Sequence, residues 1–123
     1  LSTPSAAAAD KELAAGERLG ARLIVFGETW YPPLLAAVDP PPPLLWVRGD
    51  VALLARPAVG VVGARVASAT GQRFARALAA RLGQAGLLVV SGMARGVDAA
   101  AHEGALPTGT AAVLGGGVDD VYP

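Results

Sequence analysis

The stretch Leu87-Leu-Val-Val-Ser-Gly-Met-Ala-Arg-Gly-Val-Asp-Ala-Ala-Ala-His102 decides the fold. Leu87 to Val90 form a short, continuous apolar run, the pattern of a strand buried on both faces. Ser91-Gly92 and Arg95-Gly96 interrupt the chain, and Val97 to Glu103 reads as the core of an alanine-rich helix. A strand that hands over to a helix across glycines is either a tight turn or an anion site. The second reading arises because a helix N-terminus carries unpaired N–H groups and a partial positive charge.

The same arrangement recurs on both sides of this stretch. Ala58 to Val62 is an apolar strand, residues 63–71 form a loop, and Gln72 to Leu82 form a helix. In that helix Phe74, Leu78 and Leu82 share an apolar face at i, i+4 and i+8, with Arg73, Arg76 and Arg81 off it. Gly83 and Gly86 close the helix, and Thr110 to Leu114 give a third strand that runs into Gly115-Gly116-Gly117. Continuous apolar strands alternating with helices predict an α/β fold, a doubly wound parallel sheet covered on both faces with right-handed crossovers. Three strands make half of such a sheet, so a further segment or a partner is expected at one edge.

Upstream the pattern is looser. Residues 1–9 read as a tail or linker. Asp10 to Leu19 predicts a short amphipathic helix with Asp10 as N-cap and Gly20 as its stop. Leu23 to Phe26 and Leu44 to Val47 are short apolar strands. The prolines from Pro40 to Pro43 between them read as a rigid extended spacer rather than a ligand for a proline-binding module. The expected organisation is a tail over 1–9, an N-terminal helix and extended segment packing on the sheet over 10–56, and the first half of the parallel-sheet domain over 57–123.

Composition narrows the function classes. Of the 123 residues 53% are hydrophobic and only 5% aromatic, so the core must be built from Ala, Val and Leu. No charge-free apolar run is long enough to span a membrane and no signal peptide opens the chain, which predicts a soluble cytoplasmic protein. Cysteine is absent and there is one histidine, which excludes a disulfide framework and argues against a zinc site. No metal or cofactor is expected. Net charge is zero, yet from Arg48 to Arg95 there are seven arginines against a single acid, Asp50. From Gly96 to Pro123 there are four acids and no Lys or Arg. A basic middle beside an acidic end is either a chance of surface composition or an electrostatic footprint for a polyanion.

All three strands end in glycine, and in a parallel sheet their carboxyl ends share one edge, where ligands bind at a switch in strand order. Glycines there let backbone amides approach a ligand. Along this edge lie Gly63, Ser91, Gly92, Gly96, Gly115 and Gly116. Arg65 is placed to fork onto a phosphate, and Ser68 either caps the next helix or donates to an anion. Arg95 is either at the mouth of this edge or a solvated turn residue. A dinucleotide fingerprint is not present, because Gly60-Val-Val-Gly63 runs into Ala64-Arg65 without the third glycine and no acid closes the second strand. Nor is there a Gly-Lys-Ser/Thr phosphate loop. Asp98 and His102 lie four apart on one helix face and are read as a structural pair rather than catalytic machinery, since no nucleophile accompanies them.

Taken together, Tyr31-Pro-Pro-Leu-Leu35, Leu45-Trp-Val-Arg-Gly49, Val61-Val-Gly-Ala-Arg65, Ser91-Gly-Met-Ala-Arg-Gly-Val-Asp98, Ala101-His102 and Ala112-Val-Leu-Gly-Gly-Gly-Val-Asp-Asp-Val-Tyr-Pro123 resemble the DprA (Smf) family of bacterial DNA-processing proteins. The resemblance implies an extended Rossmann-like sheet and no enzymatic activity. It implies binding of single-stranded DNA, protection of incoming strands and loading of the RecA recombinase during natural transformation, with a homodimer in the full-length protein. It maps phosphate contacts onto Gly63 and Arg65, onto Ser91 and Gly92, and onto Arg95 and Gly96. Two departures stand out. Ser68-Ala-Thr-Gly71 replaces the family's Thr-Pro-Tyr-Gly, and the family's later basic Arg-Asn-Arg stretch is absent. The expected grip is phosphate-dominated, with little base readout.

Two rivals remain on sequence grounds. A phosphoribohydrolase of the LOG type would need a Pro-Gly-Gly-x-Gly-Thr loop with a downstream Glu, whereas Leu114-Gly-Gly-Gly-Val-Asp119 has no Pro, Thr or Glu in place. A scaffold with purely structural glycines would show no salt-sensitive DNA binding.

Overall fold

The computed structural model describes residue 3 and residues 5–119. The chain divides into two compact units, Leu1–Val51 and Ala52–Pro123. Among the described residues no helix is long and apolar enough to cross a membrane.

In the first unit helix α1 runs Ala6–Arg18, earlier than expected. Ser5, not Asp10, is the N-cap: its hydroxyl accepts from the Ala8 amide at 3.1 Å, and Ala6 to Ala9 then propagate the helix from a strong cap. Strands β1 (Arg22–Val25) and β2 (Leu44–Val47) pair antiparallel, with Leu23 opposite Trp46 and Ile24 opposite Leu45. Between them Pro33–Ala36 forms a single helical turn, α2, with Pro33 at its favourable first position. Ala21, Ile24 and Tyr31 are buried here, and the Tyr31 hydroxyl donates to the Pro42 carbonyl at 2.6 Å, tying down the proline run. The Trp46 indole N–H donates to Glu12 at 3.2 Å.

The second unit carries the parallel sheet. A 3-10 turn over Val51–Ala55 leads into β3 (Ala58–Gly60), followed by α3 (Ala69–Gln84), β4 (Leu88–Ser91), α4 (Val97–Ala105) and β5 (Thr110–Ala112). The strand order is β3-β4-β5, all parallel, with Val59 opposite Val89 and Val90 opposite Ala111. This is the expected α/β arrangement. With the strands in sequential order and right-handed crossovers, α3 and α4 fall on the same face of the sheet. They pack on one another over a core of Val61, Ala79, Val89, Ala101 and Ala105, with Leu82 and Val97 against it. The three described strands therefore contain no switch in order, and the ligand edge is defined by their carboxyl ends alone.

The buried face of α3 is not the one drawn from its large side chains. Ala75, Ala79 and Gly83 are buried, whereas Phe74 is 68% and Leu78 39% exposed; Leu82 alone of the apolar trio approaches the core. The cause is close helix approach. A Cβ on Gly104 of α4 would collide with the Arg76 carbonyl of α3, so only small side chains fit along the seam. Arg76 reaches over the seam and donates twice to Glu103 Oε2, at 3.0 and 2.8 Å.

Candidate functional site

The loop between β4 and α4 is built around one carboxylate. Asp98 sits in the first turn of α4, 6% exposed, and its Oδ2 accepts from the Gly92 amide at 3.2 Å and the Ala94 amide at 3.3 Å. Between these amides Met93 adopts φ 62°, a left-handed conformation that side chains other than glycine rarely take. A buried acceptor that gathers the N–H on either side of it overrides the local cost of that turn, about 1 kcal/mol.

The loop after β3 is clamped to this one. Gly96, at φ 79°, lies so close that a Cβ would strike the Ala64 carbonyl oxygen and stand 2.6 Å from that of Arg65. The Val97 amide donates to the Ala64 carbonyl at 3.2 Å. A Cβ on Gly63 would meet the Val97 side chain at 2.7 Å. Gly63 and Gly96 are therefore required for the two loops to touch, a different use of glycine from direct approach to a ligand. The α4 N-terminus, expected to be open to an anion, is in part closed: Ala64 takes its first amide, and the Asp98 carboxylate already occupies the positive end of the dipole.

What stays open is the arginine side of the edge. Arg65 and Arg95 rise from the two clamped loops, both exposed, and neither guanidinium makes a hydrogen bond or ion pair among the described residues. The other arginines of the basic stretch in this unit are divided. Arg56 donates to the Thr108 carbonyl at 2.7 Å, Arg76 pairs with Glu103, Arg73 bonds Thr70 Oγ1 at 3.3 Å, and Arg81 is exposed. Ser68 caps α3, its oxygen accepting from the Gly71 amide at 3.0 Å. Capping uses a lone pair and leaves the hydroxyl proton able to donate. Ser68, Ala69 and Thr70, the start of α3, are exposed.

Ser91 is placed differently from expectation. It is 3% exposed and its hydroxyl donates to the Val61 carbonyl at 2.6 Å, fastening the end of β4 to the end of β3. The hydroxyl works inside the sheet and does not face a ligand. At the end of β5, Gly115 is exposed with open space around its Cα, and Gly116 is exposed beside it. Asp120 to Pro123, the end of the last motif, lie outside the described residues.

Asp98 and His102 do not hydrogen-bond to each other. Thr110 Oγ1 donates to the Val89 carbonyl at 2.9 Å, so it can only accept from His102 Nδ1, 2.8 Å away. The proton is thus on Nδ1 and the lone pair on Nε2, which is buried with no hydrogen-bond partner among the described residues. Burial pushes the His102 pKa below its ordinary 6.5, and the Asp98 charge pulls it part of the way back. The pair is coupled through space, not by a bond, because loop amides take the Asp98 oxygen. Among the described residues no group of three His, Cys, Asp or Glu side chains could hold a metal ion.

Sequence reasoning missed the anchoring role of Asp98. Its signal was available as an acid in the first turn of a helix just after a Gly-x-x-x-Gly loop, a position where a carboxylate faces backbone donors.

Residues 22–123 match the family described as DNA recombination-mediator protein A. Protein Smf of Escherichia coli is 37% identical over 103 residues, covering 82% of this chain and 28% of its own length. The X-ray structure of DNA processing protein A from Streptococcus pneumoniae superposes with a TM-score of 0.79 at 35% identity, covering 93% of this chain and 40% of that one. DNA processing protein A from Helicobacter pylori, solved in a study of its single-stranded DNA binding mode, gives a TM-score of 0.72 at 31% identity over 83% of this chain and 46% of its own. The chain spans less than half the length of each.

Proposed function

We propose that this chain, which belongs to the DNA recombination-mediator protein A family, holds single-stranded DNA by its phosphates along the strand-end edge of its parallel sheet. The observation that carries the reading is the pair Arg65 and Arg95, exposed, without an ion pair among the described residues, and raised from two loops locked against each other. With the loop backbones already fixed, binding need order only the arginine side chains, and the planar guanidinium fork loses less freedom per hydrogen bond to phosphate than an ammonium does. Ser68 and the first turn of α3 add a hydroxyl and a helix dipole on the same side. Gly63, Gly92 and Gly96 serve by shaping the loops, and Gly115 and Gly116 continue the edge at the end of β5. The Helicobacter pylori relative, named for a single-stranded DNA binding mode, supports the choice of ligand.

Binding of this kind is electrostatic, salt-dependent and indifferent to sequence. A grip of this kind uses no cofactor and no bond-breaking step, and the chain acts in it as a binding protein. In the longer proteins of the family the same strand would be protected and passed to the RecA recombinase by a homodimer during natural transformation. The phosphoribohydrolase alternative has no support from Leu114 to Asp119, where its Pro, Thr and Glu are missing.

The test is fluorescence anisotropy of labelled oligo-dT against wild type, Arg65→Ala and Arg95→Ala across salt concentrations. Loss of one charged phosphate contact weakens binding about 10- to 100-fold and lowers the salt slope by about 0.7. If both variants bind as the wild type does at every salt concentration, DNA does not sit on this edge.

A further inference from the structure

Helix α3 leaves the proposed phosphate edge and carries an unusual outward face. Its sixteen residues include Arg73, Arg76 and Arg81 and no acid. At 100° per residue, Thr70, Phe74 and Arg81 fall on one line along the helix, with Ala77 and Leu78 flanking it. This line is the one turned from the core, because Ala75, Ala79 and Gly83 face inward. Phe74 is 68% exposed, the most exposed aromatic ring among the described residues. It lies six residues past the Ser68 cap, about 9 Å along the axis, a span comparable with one or two nucleotides of an extended strand. Arg81, exposed, lies two turns further on.

From this juxtaposition we infer that Phe74 is a stacking platform for an unpaired nucleobase, on a strand that continues from the Arg65–Arg95 edge along α3 toward Arg81. The inference rests on the proposed phosphate edge and adds to it a contact with a base. A bare phenyl ring on a helix that also exposes Arg73 and Arg81, neither in an ion pair among the described residues, matches what single-stranded nucleic acid presents, a base π-face beside a negative backbone. A hydrophobic protein segment would be served by the ring but not by the charge around it. The face is continuous with the proposed interface, and it is the ring, not a phosphate contact, that distinguishes a strand with bases from a strand without them.

The experiment compares oligo-dT with an abasic oligonucleotide of equal length and phosphate count, using wild type, Phe74→Ala, Phe74→Trp and Arg65→Ala. Phe74 is largely solvated, so its removal leaves the fold intact, which circular dichroism verifies. Wild type is expected to prefer oligo-dT over the abasic strand by about 5- to 100-fold. Phe74→Ala should abolish the preference while binding the abasic strand as wild type does, and Phe74→Trp should retain it. Arg65→Ala should weaken both strands and keep their ratio, which separates the two sites. Equal binding of both strands by wild type overturns the platform and leaves the phosphate edge standing; binding of neither overturns both. A wild-type dimer that Phe74→Ala dissociates, with DNA binding unchanged, overturns it in favour of a second copy of the chain on this face.

Discussion

Asp98→Ala tests whether one buried carboxylate holds the β4–α4 loop in its binding shape. The side chain contributes two hydrogen bonds from a charged acceptor, to Gly92 and Ala94, at 3.2 and 3.3 Å. Bonds to charged groups contribute about 1.5–3 kcal/mol each, and these lie at the long end of the distance range. Relaxation of the left-handed Met93 gives back about 1 kcal/mol. The net local loss is therefore about 2–3 kcal/mol, or roughly a 30- to 150-fold faster amide exchange at Gly92 and Ala94. Hydrogen exchange read by NMR is the right assay, because Trp30 and Trp46 both lie in the other unit and their fluorescence would not report this loop. Asp98→Asn keeps one acceptor oxygen without its charge and should fall between wild type and Ala. It should also lower the His102 pKa further, since the Asp98 charge is what raises it. Exchange at Gly92 and Ala94 unchanged in Asp98→Ala would refute the reasoning, and the loop would have to be held by its glycines alone.

Two other perturbations follow from the same geometry. His102 has a folded pKa below the unfolded 6.5, so the unfolded chain binds the proton more readily; stability of this unit is fully present above pH 6.5 and declines as pH falls from there through the folded value. As the one histidine in the chain, it gives an unambiguous NMR titration, and His102→Gln should flatten the exchange-derived stability profile between pH 7.5 and 5. Gly96→Ala combines a positive φ with a Cβ against the Ala64 carbonyl, so it should destabilise the unit by about 2–4 kcal/mol and weaken oligo-dT binding by displacing Arg65. A Gly96→Ala protein with wild-type exchange and affinity would show that the two loops need not touch.

Much of the second unit is legible in the sequence. Ala58–Gly60, Leu88–Ser91 and Thr110–Ala112 fall in short apolar runs that end at or near glycine, too short for helices and set between helical segments, and so read as strands. Where strands end along a parallel sheet is fixed by connectivity, so the gathering of Gly63, Arg65, Gly92 and Arg95 at one edge follows from the chain order. The first unit is less legible, because Ser5 capping a run of alanines outweighs the more familiar pattern that begins at Asp10.

The tertiary structure decided which groups remain free. Phe74, Leu78 and Leu82 have the spacing of a core face, but α3 and α4 approach too closely for large side chains, and the seam selects Ala75, Ala79 and Gly83 instead. Periodicity ranks residues by hydrophobicity, while close packing ranks them by size, and only the neighbour's position says which applies. Ser91, Asp98 and Arg65 likewise carry equal promise as polar residues beside glycines. The Val61 carbonyl just past β3 turns the Ser91 hydroxyl inward, the Gly92 and Ala94 amides engage Asp98, and Arg65 is left facing solvent with no ion pair among the described residues. Residue types and their order along the chain are given by sequence, but a hydrogen bond between segments thirty residues apart exists only once the sheet has brought them together.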